Sequence, residues 1–135
     1  MRIAVCVDNR MGFQFHRRRL SRDRVQQEDL LSLCAGEKLW VAPCSAALFT
    51  WAAGRIAVVE DPLTLSGGLC FLEDRLPPPE RVEELVLYRW NRDYPADVYL
   101  DWDLSRFQVS GLREFPGTSH PVITRTIYVR KERIP

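Results

Sequence analysis

The sequence predicts one α/β domain spanning residues 1–135, with a mixed β-sheet, flanking helices and a C-terminal hairpin. Three observations lead there. Short apolar runs alternate with helical stretches over the first half of the chain. The last third reads as strands, two of them alternating well around a Gly- and Pro-rich turn. A chain of 135 residues, 46% of them apolar, is long enough for one packed core and too apolar for wholesale disorder.

The elements follow in order. Ile3–Val7 is a short apolar run, read as a buried strand, and Asp8, Asn9 and Gly12 are turn residues after it. The next stretch, 13–19, is aromatic and basic. Ser21 is the expected N-cap of a helix running to about Ala35, with Asp23 in its first turn, where the helix dipole favours a carboxylate. Gly36 is the expected stop. Leu39–Ala42 reads as a second strand, Pro43–Ser45 as a turn, Ala46–Ala53 as a short helix ending at Gly54, and Arg55–Val59 as a third strand. A loop over 61–68 leads to a strand at Leu69–Leu72. Pro77-Pro78-Pro79 reads as extended and exposed. Glu84–Trp90, Phe107–Phe115 and Val122–Arg130 complete the strands, the last two joined by residues 116–121.

Charge is unevenly laid out. Within the net charge of +1 lie a basic start (residues 1–24, +5), an acidic middle (60–103, −7) and a basic end (104–135, +4). This balance argues against nonspecific coating of nucleic acid but permits one basic face. Of 19 basic residues only Lys38 and Lys131 are lysine, so planar guanidinium groups dominate; a GC-rich coding sequence gives the same bias. No apolar run approaches the roughly 20 residues that span a bilayer, so no membrane partner is expected. No secretory signal is visible, and Cys6, Cys34, Cys44 and Cys70 form no CxxC pair. Reduced thiols in a cytoplasmic protein are the expectation.

Several stretches resemble the dihydrofolate reductase family. Ile3-Ala4-Val5-Cys6-Val7-Asp8-Asn9-Arg10-Met11-Gly12 is similar to its first strand and following loop. Leu20-Ser21-Arg22-Asp23 resembles its L-P-x-[DE] helix start, Leu85-Val86-Leu87-Tyr88 its late L-Y-L-T strand, and Asp97 its D-T-x-F-P acid. The resemblance implies that fold, and it implies that Asp23 holds a pterin-like ring. It also implies NADPH, yet the phosphate-binding motifs are degraded: Gly67-Gly68 precedes its strand, and Ala42-Pro43-Cys44-Ser45 has no basic residue. A helix start at Ser45-Ala46 remains a candidate anion site. The chain also resembles a group of small, uncharacterised bacterial proteins of Firmicutes type, often labelled ribonuclease Z. The resemblance lies in Asp8-Asn9…Gly12…Phe15…Arg18-Arg19…Ser21…Asp23, Trp90-Asn91-Arg92…Tyr94-Pro95…Asp97 and Phe115…Gly117…Ser119-His120…Ile123-Thr124. The zinc enzyme of that name needs an HxHxDH motif and further histidines. His16 and His120 are the only histidines here, so no metal site is expected.

The candidate site residues divide by chemistry. Asp23 and His120 are the candidate proton-transfer groups. Asp8, Phe15, His16, Arg18, Arg19, Ser21, Asn91, Arg92 and Ser119 are the candidate ligand contacts: guanidinium groups for a phosphate or carboxylate, Phe15 for stacking, Ser119 for an oxyanion, and Asn91 and Arg92 for the rim. Each has a plain structural alternative. Asp23 can stabilise its helix, the Arg run can be a solvated loop, Ser119-His120 can cap a turn, and Arg92 can pair with Asp93 or Asp97. Asp97, Asp101 and Asp103 fit no EF-hand spacing and read as a solvated acidic edge. The leading expectation is a dihydrofolate-reductase-like domain binding a small heterocyclic, nucleotide-like or anionic ligand. One alternative is a metal-independent ribonuclease or RNA-binding protein using His16, His120 and the Arg cluster. Another is an interaction protein without chemistry.

Overall fold

A computed structural model describes residues 1–131; the last four residues of the expected 1–135 domain lie outside the described residues. Among the described residues ten strands appear: β1 Arg2–Val7, β2 Gly12–Phe15, β3 Arg18–Arg19, β4 Leu39–Val41, β5 Ile56–Val58, β6 Leu69–Phe71, β7 Glu84–Arg89, β8 Val98–Tyr99, β9 Phe107–Phe115 and β10 Ile123–Arg130. The helices are α1, Arg24–Ser32, and α2, Pro43–Ala46.

Seven strands form one mixed sheet in the order β5-β4-β6-β1-β7-β10-β9. The first five are mutually parallel, and β10 and β9 add as an antiparallel hairpin on β7. The central strands are apolar on both faces because both faces are covered. On β1, Ile3, Val5 and Val7 point into one core with Leu85, Leu87, Phe13 and Phe107. Ala4 points the other way, with Val86, Tyr88, Leu30, Phe49 and Phe71. No helix among the described residues is long and apolar enough to cross a membrane.

Five expectations need correction. Asp23, not Ser21, is the N-cap of α1: its backbone is extended and its side chain accepts from the Val25 N–H. The preference for a short acceptor at the cap is met two residues later than expected. The helix ends at Ser32, and the chain turns through left-handed Ala35 and Gly36. Pro43–Ser45 is helical rather than a simple turn, because proline suits a first helical turn. The chain then runs as an irregular 3-10 stretch over Ala47–Arg55, kinked at Phe49 and Ala52, with no stop at Gly54. In the proline run Pro77 is buried, and a 3-10 turn follows at Pro79–Arg81.

A second, three-stranded sheet, β3-β2-β8, has no counterpart in the sequence reading. The basic stretch folds as a β2–β3 hairpin turning through left-handed His16 and Arg17, and β8 pairs with β2. These strands are only two to four residues long, too short for periodicity to reveal. Asp97 accepts from the His16 N–H at 3.0 Å, so one member of the acidic edge holds the hairpin tip.

Candidate functional site

The parallel strands β1, β4, β6 and β7 all end on the same edge of the sheet, the edge where open α/β sheets place ligands. Three features gather there: a buried carboxylate–imidazole network, a turn held by Asp8, and an arginine-lined cleft.

The network centres on Asp23 and His120, both 2% exposed. Asp23 Oδ1 accepts from the N–H groups of Val25 (2.9 Å) and Thr118 (3.0 Å). Its Oδ2 accepts from the Ser119 N–H (2.8 Å) and faces Ser119 Oγ (3.1 Å) and His120 Nδ1 (3.2 Å). Burial alone would raise the Asp23 pKa, but the Thr118 and Ser119 N–H groups, aided by the His120 and Ser119 side chains, outweigh it. The carboxyl is held well below the usual carboxylate range and stays ionised. Gly117 makes this clamp possible: a Cβ there would lie 2.7 Å from Ile123 Cδ1 and 2.9 Å from Asp23 Cγ. The Gly117 N–H donates to the His120 carbonyl, closing the turn.

The other edge of the imidazole faces Tyr94 and Ser21. His120 Nε2 lies 2.9 Å from the Tyr94 hydroxyl and 3.2 Å from Ser21 Oγ, and the ring stacks on buried Trp90 at 4.4 Å between centroids. Ser21 therefore belongs to the network through His120 rather than as a helix cap. Asp8 is fully buried and positions Tyr94. Its Oδ1 accepts from the Arg10 and Gly12 N–H groups, a local Asx-type turn, and its Oδ2 from the Tyr94 N–H at 3.1 Å.

The hairpin supplies the charge. One open cleft of about 720 Å³ is lined by Arg17, Arg18, Arg19, Cys44, Glu73 and Asp74, among others. A second, of about 430 Å³, is lined by Phe15, His16, Arg18, Arg19, Tyr94 and Pro95, among others. Arg18 and Arg19 wall both. Arg19 is committed: it makes a two-pronged ion pair with Glu73 (2.8 and 3.0 Å) and donates to the Cys44 carbonyl. Arg17 and Arg18 are exposed and make no side-chain hydrogen bond or ion pair among the described residues. Phe15 and His16 stack at 3.9 Å beside them.

The expected site residues thus fall into three sets. Asp23, His120, Ser119 and Ser21 meet directly. Phe15, His16, Arg18 and Arg19 share a cleft whose wall, Tyr94, touches His120. Asp8 and Asn91 are spent on the chain itself, Asn91 donating to the Val122 carbonyl and Thr124 Oγ1 from a left-handed backbone. Arg92 is exposed at the end of β7 and pairs with neither Asp93 nor Asp97 among the described residues. His16 and His120 do not form a facing pair: one is exposed on the hairpin, the other buried behind Tyr94. Asp23 has both oxygens occupied by the protein's own donors, so as placed it holds the 117–120 turn rather than a ligand ring.

Two residues were missed. Tyr94 stands inside the quoted Trp90–Asp97 stretch, which was the available signal. Glu73 stands two residues beyond the fully buried β6, where it pairs with Arg19.

The residues that would meet a nicotinamide cofactor's phosphates do not fit it. Ser45 is buried and donates to Glu73 Oε1 at 2.7 Å, so that turn presents a carboxylate, and α2 is only four residues long. Gly67 and Gly68 form the turn before β6, where a Cβ on Gly68 would lie 2.8 Å from the Trp40 ring. Among the described residues no group of three His, Cys, Asp or Glu side chains is placed to hold a metal ion. No protein-family profile matches the chain, and no curated protein matches it.

Proposed function

We propose that this protein binds a small heterocyclic ligand with an anionic end, nucleotide-like or folate-like, in the cleft between the β2–β3 hairpin and Tyr94–Pro95. The observation that carries the reading is Arg18, free of ion pairs among the described residues, beside the stacked Phe15–His16 platform on the C-terminal edge of a parallel sheet. Guanidinium groups without internal partners suit phosphate or carboxylate, and a flat aromatic surface beside them suits a ring. Arg19 is held by Glu73 and shapes the wall instead.

The scaffold in this reading is dihydrofolate-reductase-like. Support comes from a central β1 between parallel neighbours, an acid at the start of α1, and the C-terminal hairpin on β7. The residues at Ser45 and Gly67-Gly68 do not suit cofactor phosphates, so this reading does not extend to hydride transfer. The ribonuclease alternative has less support, because His16 is exposed on the hairpin while His120 is buried and meets the cleft through Tyr94.

Thermal shift and calorimetric titration with AMP, pyrophosphate, folate and NADPH test the reading. AMP or folate should raise the melting temperature of the native chain. Arg18→Ala and Phe15→Ala should lose that response while changing unliganded stability by no more than about 0.5 kcal/mol, as expected for exposed positions. No shift with any of the four compounds overturns it.

A further inference from the structure

We propose that Tyr94 is a general base acting on the ligand in the hairpin cleft, with His120 receiving the relayed proton and Asp23 as its fixed counter-charge. This rests on the ligand reading above and adds a reaction to it.

The geometry supplies the direction of the relay. Asp23 accepts hydrogen bonds on both oxygens, and an ionised carboxylate can only accept. The imidazole nitrogen facing it, Nδ1, therefore carries the proton, and Nε2 keeps its lone pair. The Tyr94 hydroxyl, 2.9 Å away, donates to Nε2 and leaves its own oxygen lone pairs open to another donor. The ring is held in place, stacked on Trp90 with Ser21 Oγ 3.2 Å from Nε2. Asp8 fixes the Tyr94 backbone. Tyr94 joins the buried network to the cleft: its hydroxyl touches His120, and the residue lines the wall beside Phe15, His16 and Arg18.

The step balances. A ligand X–H group donates to the Tyr94 oxygen; the X–H bond breaks and its electron pair stays on X. A new O–H bond forms on Tyr94 as the original phenol proton passes to His120 Nε2. The products are X⁻, neutral Tyr94 and an imidazolium beside the Asp23 carboxylate. Arg18, in the same cleft, stabilises X⁻. The ligand class is a ring N–H or a C–H next to a carbonyl, on a molecule that also carries a phosphate or carboxylate. Tyr94 is the catalytic residue; His120 and Asp23 act through it and are positioning residues.

The probe is 4-(fluorosulfonyl)benzoate, with neutral benzenesulfonyl fluoride as comparison. Attack by the Tyr94 oxygen forms an O–S bond, breaks S–F, releases fluoride and sends the phenol proton to His120. Peptide mapping should show Tyr94 modified at least about tenfold faster than Tyr99, whose hydroxyl donates to the Ala96 carbonyl. Tyr94→Phe should abolish the label, and His120→Gln should slow it about tenfold. Modification of Tyr94 no faster than Tyr99, or an unchanged rate in His120→Gln, overturns the relay. Because His120→Gln can loosen the 117–120 turn, nitrogen NMR of the native chain gives a second reading. A protonated Nδ1 with a bare Nε2 supports the relay; a protonated Nε2 overturns it. Fast modification of Tyr94 by the neutral reagent, with no gain from the carboxylate and no protection by pyrophosphate, supports the relay and overturns the anionic-ligand reading.

Discussion

Asp23 and Asp29 lie on or at the start of the same helix, and both are buried, yet they are neutralised in different ways. Asp23 is surrounded by oriented donors: three backbone N–H groups, a serine and a histidine. Asp29 is surrounded by charge. Arg125 Nη1 lies 2.8 and 2.9 Å from its two oxygens, Arg113 reaches Oδ1 at 2.9 Å, and the Tyr88 hydroxyl donates to Oδ2 at 2.7 Å. Burial and then Asp29 itself push the Tyr88 phenol far up, so it remains a donor. The Asp29 cluster fastens α1 to β7, β9 and β10, whereas the Asp23 clamp fastens a turn and aims an imidazole at a cleft. A carboxylate held by dipoles faces its neighbour His120 with no competing cation in contact with it among the described residues. A carboxylate held by guanidinium groups is a rivet.

Asp29→Ala has the largest expected effect on stability. It strands Arg125, only 15% exposed, and the buried Tyr88 hydroxyl, and should cost about 3–5 kcal/mol in urea unfolding. A loss under 1 kcal/mol would show that the cluster is well solvated. Next comes Gly117→Ala, which forces the 117–120 turn off Asp23. It should cost about 1–3 kcal/mol and shift the His120 ring resonances, whereas Asp29→Ala should leave those resonances in place.

Acid unfolding tests the dipole-held carboxylate directly. The folded Asp23 pKa lies below its unfolded value of about 3.9. Its contribution is therefore fully present above pH ~4 and is lost as pH falls toward the folded value. The stability gap between the native chain and Asp23→Asn should shrink below pH ~4, by at most about 1.4 kcal/mol per pH unit for one proton. A gap that stays constant from pH 7 to pH 2.5 would contradict the assignment. The smallest effect belongs to Arg113→Ala. With its side chain 58% exposed, this outer member of the Asp29 cluster should contribute less than about 1 kcal/mol, and less still in 1 M salt.

The sequence was most legible where periodicity and burial coincide. β1, β7, β9 and β10 were foreseen nearly to the residue, because long apolar or alternating runs admit few other arrangements. It was least legible at β2, β3 and β8, strands of two to four residues, where β2 pairs not only with the adjacent β3 but with β8 far along the chain: Gly12 with Tyr99 and Gln14 with Val98. The site shows the same division. Asp23, Ser119 and His120 stood out by residue type and turn context. That Tyr94 would touch His120 and that Glu73 would hold Arg19 had no local signal, since sequence distances of 26 and 54 separate those pairs.

By its own composition and order, the chain determined one α/β core, a mixed sheet ending in a hairpin, and a basic stretch beside the first helix. Those are properties of runs and periods, which each segment carries alone. The tertiary structure decided which arginines remain free, which carboxylate becomes a clamp, and which hydroxyl stands between the clamp and the cleft. Such choices depend on a few ångströms between residues brought together from opposite ends of the chain, and no local pattern encodes that distance.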